Sequence, residues 1–298
     1  MAQKNELVEL SCGPLTLVLA PACGGSIHTF RLRQAGETVE LMRPSPDEHS
    51  VLNMACFPLV PFSNRIKNGT FEYDGQKVVL AKSPPLPDSH PLHGHGWHNP
   101  WEVSTSGDHN ATLVYTHTAD DPDGWPWAYK AVQEFTLTDS SLTVTLAVTN
   151  LDSRKMPCGL GLHPYFPGDR NTKVHAELAG VWLTDEHCIP VQHVAIPAEW
   201  DFNNGINPLE PVIDNCFTGW NGKAVIQQRG LQLIMTHSGP LRTLVIYTPE
   251  NENFFCLEPV SNITNAFNMP ADTDNGMIEL APNEECKVTV NFEVKPKN

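Results

Sequence analysis

The sequence lacks any apolar run as long as a membrane-spanning helix, which takes about 18 residues. Its first residues, MAQKNELVEL, do not show the basic-then-apolar order of a secretory signal peptide. None of its eight cysteines belongs to a Cys-x-x-Cys pair, and several lie inside apolar runs. We interpret them as small buried residues with reduced thiols and predict a cytoplasmic protein.

Positive charge is also scarce. The chain has 19 Lys and Arg residues against 34 Asp and Glu, a net charge of −15. A surface of this charge repels phosphate backbones and anionic lipids, which makes nucleic acid and membranes poor candidates for partners. It also disfavours an anionic substrate, unless a local basic pocket overrides it. The sequence makes no prediction about the oligomeric state.

Uninterrupted stretches that suit long helices are missing, because 26 prolines and 20 glycines are spread along the chain. The strand–helix–strand rhythm of a doubly wound α/β fold is not seen either. What recurs is two-residue alternation. In residues 142–149, LTVTLAVT, apolar residues at 142, 144, 146 and 148 alternate with small or polar ones, which predicts a half-buried strand.

This alternation predicts an all-β protein, a large antiparallel β-sandwich formed by a single domain over residues 1–298. The segment 181–211, rich in Pro, Asp and Asn, is predicted to be a long surface excursion over one end. Besides 142–149, the predicted strands are 15–20, 26–32, a hairpin over 71–80 around Asp74 and Gly75, 111–116, 131–137, 231–236, 241–247, 254–260 and 286–294.

The densest group of polar residues is PLHGHGWHNPW at 91–101, with histidines at 93, 95 and 98. In an extended segment His93 and His95 would project to the same face. Two functional interpretations follow, a transition-metal site and a polar catalytic pocket that includes His93. The structural alternative is that these histidines only satisfy backbone groups.

Two further titratable residues stand among apolar neighbours. His163 precedes a proline in CGLGLHPYFP, so it is held extended. Burial would favour its neutral form, whereas a nearby carboxylate would favour the charged form. Glu258 is the single carboxylate in FFCLEPV, where burial would raise its pKa and suit it to general base catalysis. A core or turn histidine and a buried ion pair are the alternatives.

Two more charged residues are candidates for binding a substrate. Arg65 follows an apolar, proline-bounded stretch, and its fork of donors is suited to hold sugar hydroxyls. The alternative for Arg65 is a surface salt bridge. Asp214, in IDNCF, would by itself be interpreted as a turn former.

Taken in order, these segments resemble the aldose 1-epimerase family, also called galactose mutarotases. The matching pieces are PFSNR at 61–65, LHG at 92–94, LHPYF at 162–166, IDNCF at 213–217 and LEPVS at 257–261, followed by AFN at 266–268. The resemblance covers residues 10 to 295 approximately. It implies a large antiparallel β-sandwich, a monosaccharide substrate and no cofactor or metal.

The resemblance also implies roles for the catalytic residues. Glu258 is similar to the general base on the anomeric hydroxyl, and His163 to the general acid that protonates the ring oxygen. His93 is similar to a second histidine that bonds near the ring oxygen. The implied activity is that of an isomerase, which interconverts the α- and β-anomers of a free aldose by opening and reclosing the ring.

Arg65 and Asp214 resemble the pair that holds the sugar hydroxyls, with Asn64 assisting. Trp97, Trp220 and Phe267 are candidates to stack on the sugar, with core packing as the alternative. Many galactose mutarotases have His-Gly-Gly where this chain has HGHG, which indicates a divergent branch and leaves the preferred sugar open.

Three other functions remain compatible with these residues. One is a hexose-6-phosphate mutarotase, which needs an additional cation beside the sugar. Another is a non-catalytic carbohydrate-binding protein on the same fold, which has no need of both Glu258 and His163. The third is a metal-dependent enzyme that uses His93, His95 and His98.

Overall fold

The structure is a computed structural model that describes residues 6–46, 50–81, 90–120, 124–270 and 272–296. Its regular elements, within these ranges, are 24 β-strands and six short 3-10 helices, without an α-helix. None of the helices in the described part is long and apolar enough to cross a membrane. The single-domain prediction covers residues 1–298, so parts of it lie outside the described residues, and it stays a prediction.

The elements are short, as the density of proline and glycine leads one to expect. The 3-10 helices are Val51–Asn53, Lys67–Gly69, Gly96–His98, Ala198–Trp200, Phe202–Asn204 and Ala266–Asn268. The strands are β1 (Val8–Cys12), β2 (Leu15–Ala20), β3 (Ser26–Gln34), β4 (Glu37–Glu40), β5 (Pro58–Leu59), β6 (Thr70–Tyr73), β7 (Gln76–Val79), β8 (Glu102–Ser106), β9 (Asn110–His117), β10 (Tyr129–Leu137), β11 (Ser141–Asn150), β12 (Met156–Cys158), β13 (Gly161–Leu162), β14 (Tyr165–Pro167), β15 (Lys173–Ala176), β16 (Gly180–Thr184), β17 (Pro190–Val194), β18 (Ile213–Thr218), β19 (Lys223–Gln228), β20 (Leu231–Ser238), β21 (Thr243–Thr248), β22 (Phe254–Val260), β23 (Ile278–Leu280) and β24 (Glu285–Pro296).

Two large antiparallel sheets dominate the architecture. One has the strand order β15-β19-β20-β24-β11-β10-β9-β8. The other has the order β17-β16-β18-β21-β22-β13-β5, with β14 also paired to β22. A single hydrophobic cluster contains side chains from both sheets, such as Leu146 and Leu257. The predicted all-β fold, a large antiparallel β-sandwich, is confirmed.

The alternation in the sequence corresponds to one buried face on each strand. In β11, Leu142, Val144, Leu146 and Val148 are buried, and the threonines between them are partly exposed. Cross-strand pairs such as Phe135 with Val144 join this face to β10. The buried positions recur every second residue because successive side chains of a strand point to opposite faces.

The prediction for residues 181–211 was wrong in its first half. This part contains β16, which belongs to the second large sheet, and β17, which is its edge strand. Alternation is hard to see there because the register shifts between Leu183 and Thr184 and because most of the edge strand is exposed. Residues 198–204 contain two short 3-10 helices.

Candidate active site

A cavity of about 400 Å³ opens at the second large sheet. It is large enough for a small ligand such as a monosaccharide, at the low end of the usual range. The structure brings all six residues predicted for the site to the wall of this cavity. The wall is formed by Leu52, Phe57, Asn64, Arg65, Leu92, His93, Trp97, His163, Tyr165, Asp214, Tyr247 and Glu258.

Strand pairing places Glu258 opposite His163. Gly161 of β13 pairs with Val260 of β22, and Tyr165 of β14 pairs with Cys256. His163 lies midway between the two paired positions on its side, and Glu258 lies midway on the other. Directly opposed residues of antiparallel strands project to the same face of a sheet. The two side chains therefore meet.

The two polar groups are close together and almost completely buried. His163 Nε2 lies 3.3 Å from Glu258 Oε1, and the side chains are 8% and 3% exposed. Burial is the main cause that raises the pKa of Glu258 well above its usual value, and it lowers the pKa of His163 to about 3. The nearby carboxylate would by itself have the opposite effect on the imidazole, so desolvation prevails.

His93 is held in place by the backbone around Asn64. The Asn64 N–H donates to His93 Nδ1 at 3.0 Å, and the His93 N–H donates to the Asn64 carbonyl oxygen at 3.0 Å. Because Nδ1 is an acceptor, a neutral His93 carries its proton on Nε2 and is a donor there. Burial is the main cause that lowers the pKa of His93 and favours this neutral form. Arg65 acts in the same direction through its positive charge, as does His163 when it carries a proton.

The segment that carries His93 is bent, so the expectation of an extended His-x-His pair was wrong. His93 and Gly94 both have positive φ angles, 60° and 69°, and a 3-10 helix begins at Gly96. A Cβ atom on Gly94 would lie 2.4 Å from the Val60 carbonyl oxygen. Only glycine fits such a close approach, and that glycine orients the preceding histidine.

His95 and His98 lie apart from the cavity wall. The His95 ring stacks on His117 with the centroids 5.0 Å apart, and it makes an edge contact with His98 at 6.0 Å. In the described ranges, ligand atoms of His93, His95 and His98 do not converge on a common point. The predicted alternative of a metal site made by these three histidines is therefore contradicted.

A different set of three potential ligands does converge, namely His93, His163 and Glu258, with the ligand atoms within 4.8 Å of one another. The Nδ1 atom of His93 is occupied by the Asn64 N–H, and Nε2 carries the ring proton. A metal ion needs an imidazole nitrogen with a free lone pair, so this tautomer does not suit coordination. The cluster is better suited to proton transfer than to holding a metal.

Arg65 and Asp214 face each other at the wall of the cavity. Arg65 Nη1 lies 3.6 Å from Asp214 Oδ2, and the side chains are 16% and 31% exposed. The amide oxygen of Asn64 accepts hydrogen bonds from the backbone and the guanidinium of Arg65. Asn64 thus orients the arginine, while Asp214 offers an acceptor next to its donors.

The three aromatic candidates differ in position. Trp97 lines the cavity but is fully buried, and its Nε1 donates to the carbonyl oxygens of Leu92 and Gly94. Trp220 packs on His237, and Phe267 packs on Phe71. Neither Trp220 nor Phe267 is part of the described cavity wall, so the alternative of core packing applies to both residues.

Sequence reasoning missed several residues of the cavity wall, among them Leu52, Phe57 and Tyr247. Phe57 follows from strand register, because Leu162 pairs with Pro58 and the His163 N–H donates to the Phe57 carbonyl oxygen. Tyr247 pairs with Asp214 across β21 and β18. No local pattern marks these residues, since their proximity depends on pairing between distant strands.

Fold and cavity together define a β-sandwich protein with a buried histidine–glutamate pair in a pocket of small-ligand size. The aldose 1-epimerase family model matches residues 6–293, and the chain belongs to this family. The resemblance noted in the sequence is thereby confirmed.

Similarity to individual proteins is consistent with membership of this family. The chain is 34% identical over 296 residues to YphB of Escherichia coli K12, an uncharacterized protein, covering 96% of this chain and 98% of that protein. A galactose mutarotase-like protein from Clostridium acetobutylicum superposes with a TM-score of 0.83 at 20% identity, covering 97% and 94% of the two chains. A galactose 1-epimerase from Lactobacillus acidophilus gives 0.78 at 16% identity, covering 100% and 97%. At these identities the two structures show the fold alone, which is that of the galactose mutarotases.

Proposed function

We propose that the protein is an aldose 1-epimerase, which interconverts the α- and β-anomers of a free aldose by acid–base ring opening and reclosure. The observation that carries this proposal is the contact of 3.3 Å between His163 Nε2 and Glu258 Oε1 inside a sugar-sized cavity. In an aldose the anomeric hydroxyl and the ring oxygen are bonded to the same carbon. An acid and a base that act on these two oxygens must therefore lie side by side.

Glu258 and His163 together hold one transferable proton, which is what the reaction needs. Burial favours a carboxylic acid on Glu258 and a neutral imidazole on His163, so the pair shares one transferable proton. The short contact lets this proton pass to His163, which leaves the glutamate as base and the histidine as acid. The positive charge of Arg65 favours this charged form of Glu258, whereas burial and the negative charge of Asp214 oppose it.

The catalytic cycle follows from this arrangement. Glu258 removes the proton of the anomeric hydroxyl while His163 protonates the ring oxygen, and the ring bond to C1 breaks. Rotation about the C1–C2 bond turns the aldehyde, and the ring oxygen then adds to its other face as the two groups exchange roles. Each proton transfer of this kind typically contributes about 10²–10⁴-fold to the rate.

The other predicted residues have binding roles in this proposal. His93 donates from Nε2 to the ring oxygen region, since its Nδ1 is engaged by Asn64. Arg65 and Asp214 hold neighbouring sugar hydroxyls as donor and acceptor, with Asn64 keeping the guanidinium in place. Holding the ring in one orientation contributes to the rate by positioning the reacting oxygens.

A free sugar is a better substrate than a sugar phosphate. Among the described residues that line the cavity, Arg65 is the one lysine or arginine, and it faces the carboxylate of Asp214. A phosphate group needs uncompensated cations or several backbone donors. The hexose-6-phosphate alternative therefore has little support from the composition of the wall.

The eight cysteines form no disulfide, and four of them are buried. Cysteines outside disulfides are typical of a reducing compartment, which supports a cytoplasmic role in carbohydrate metabolism.

Polarimetry on freshly dissolved α-anomers of several aldoses tests the proposed function. The protein should accelerate the change in rotation for at least one free aldose and not for the corresponding 6-phosphate. Glu258→Gln and His163→Asn should each lower the rate by about 10²–10⁴-fold. The exposed Glu250→Gln variant should retain full activity. Sugar binding without acceleration would favour the carbohydrate-binding alternative, and wild-type rates for both active-site variants would refute the mechanism.

A further inference from the structure

The His163 imidazole belongs to a stack of flat groups that continues beyond the cavity wall. The Tyr165 ring lies nearly parallel to it, with the centroids 4.6 Å apart and the planes inclined by 18°. His163 and Tyr165 are two residues apart in extended backbone, so they share a face of the sheet. The guanidinium carbon of Arg43 lies 3.8 Å from the centroid of the Tyr165 ring.

Arg43 is itself held firmly. Its Nη2 donates to the carbonyl oxygens of Leu52 and Met54, at 2.7 and 3.0 Å, and its backbone N–H donates to the Tyr165 carbonyl oxygen at 2.8 Å. Its guanidinium also lies 4.5 Å from the ring centroid of Phe254. Arg43 thus joins the strand that carries Tyr165 to the turn that brings Leu52 to the cavity.

We propose that Arg43 is a positioning residue for His163. Arg43 acts through the Tyr165 ring to fix the plane of the His163 imidazole, and its charge opposes a lasting positive charge on that imidazole. The proposal rests on the function proposed above. Arg43 is not part of the cavity wall and instead lines a neighbouring groove. Arg43 therefore does not contact a bound sugar, and it acts on His163 from outside the cavity.

The electrostatic effect has a definite sign. Burial is the main cause that lowers the pKa of His163, and the positive charge of Arg43 lowers it further. A lower pKa makes the imidazolium a stronger acid, which speeds delivery of its proton to the ring oxygen. The titratable and charged groups around the imidazole are Glu258, His93, Cys56, Tyr165 and Arg43.

Arginine is suited to this position in a way that lysine is not. A planar guanidinium covers an aromatic ring and at the same time donates in its own plane to carbonyl oxygens. A lysine would keep the charge and could still donate to carbonyl oxygens, but it would lose the flat contact with the ring. Comparing Arg43→Lys, which keeps the charge, with Arg43→Met, which removes it, therefore separates the effect of charge from that of positioning.

The test compares Arg43→Met and Arg43→Lys with Arg170→Met, a matched control. Arg170 is exposed and lines the same groove as Arg43. We expect Arg43→Met to lower kcat by about tenfold, in line with the strength of a partly buried cation–π contact, with KM within about twofold of wild type. Arg43→Lys should lower kcat less, and Arg170→Met should leave both constants unchanged.

A second measurement does not depend on activity. In sugar-free protein with ¹⁵N-labelled histidine, the His163 signals are assigned by their loss in His163→Asn and followed against pH. In Arg43→Met, His163 should take up its proton at a higher pH than in wild type, whereas Arg43→Lys should stay close to wild type in this respect.

Arg43→Met with wild-type kcat and an unchanged His163 titration would overturn the proposal. If Arg43→Met does not fold, Arg43→Lys decides: unchanged kcat together with unchanged His163 signals overturns it, and a loss of kcat at constant KM supports it. If no aldose is converted by the wild-type protein, the proposed function fails, and the titration still decides whether Arg43 controls His163.

Discussion

Glu258 Oε1 and His163 Nε2 lie 3.3 Å apart because His163, in the link between β13 and β14, lies opposite Glu258 of β22, with which both strands pair. The same burial acts on them in opposite directions, raising the pKa of the carboxyl group and lowering that of the imidazole. Both shifts disfavour charge, so each group makes folding dependent on pH in its own range.

Glu258→Gln should make the protein more resistant to unfolding at neutral pH. The folded protein holds this carboxyl group protonated above pH 4.5, where the unfolded chain has lost the proton, so stability falls as the pH rises through that range. A neutral glutamine removes this cost. We expect the melting temperature to rise by about 2 °C or more at pH 7, with a difference that grows from pH 5 upward. A melting temperature below wild type at pH 8 would contradict this.

His163→Asn should change stability on the acid side. The pKa of His163 is about 3 in the folded protein, so below pH 6.5 the unfolded chain binds a proton that the folded one does not. The wild type therefore loses on the order of 2 kcal/mol between pH 7 and pH 5 from this group. Urea unfolding at both pH values measures it. The variant should lose less over this interval, and equal losses in both proteins would argue against a neutral buried histidine.

Arg65→Ala should mainly weaken sugar binding. Its guanidinium is the cation among the described residues of the cavity wall and is oriented by Asn64 and Asp214. We expect KM to rise by about tenfold with kcat reduced by less than about threefold. Arg65→Lys keeps the charge beside Glu258 and loses the fork, so it separates the two effects. An unchanged KM in Arg65→Ala would remove this residue from the binding role.

Gly94→Ala should damage the site and the fold together. Its φ angle is 69°, and an added Cβ would lie 2.4 Å from the Val60 carbonyl oxygen, so the backbone that carries His93 must move. Gly230→Ala is the control, since its φ angle is 75° but nothing lies within 4 Å of the added atom. We expect about 1–2 kcal/mol of destabilisation in the control from φ alone, and more in Gly94→Ala. Only Gly94→Ala should lose activity, by about tenfold or more, as seen in denaturation curves and polarimetry.

The all-β fold could be predicted from the sequence because alternation is a local property of a strand. A buried face appears as every second residue, as in β11, whatever the strand pairs with. Local patterns failed where that face is lost, at the edge strand β17, and where backbone angles are unusual, at His93 and Gly94. The candidate residues of the site were also visible individually, because a carboxylate or an imidazole in an apolar run stands out by its cost of burial.

What only the tertiary structure decided is which of these residues meet. Glu258 faces His163 through the register of β22 with β13 and β14, and Phe57 joins them through β5. Arg43 reaches His163 through Tyr165 from a segment without any periodic pattern. By itself the sequence determined the chemistry available and the strands that carry it. The pairing of distant strands determined the site, because the register is a relation between two segments and cannot be predicted from either segment alone.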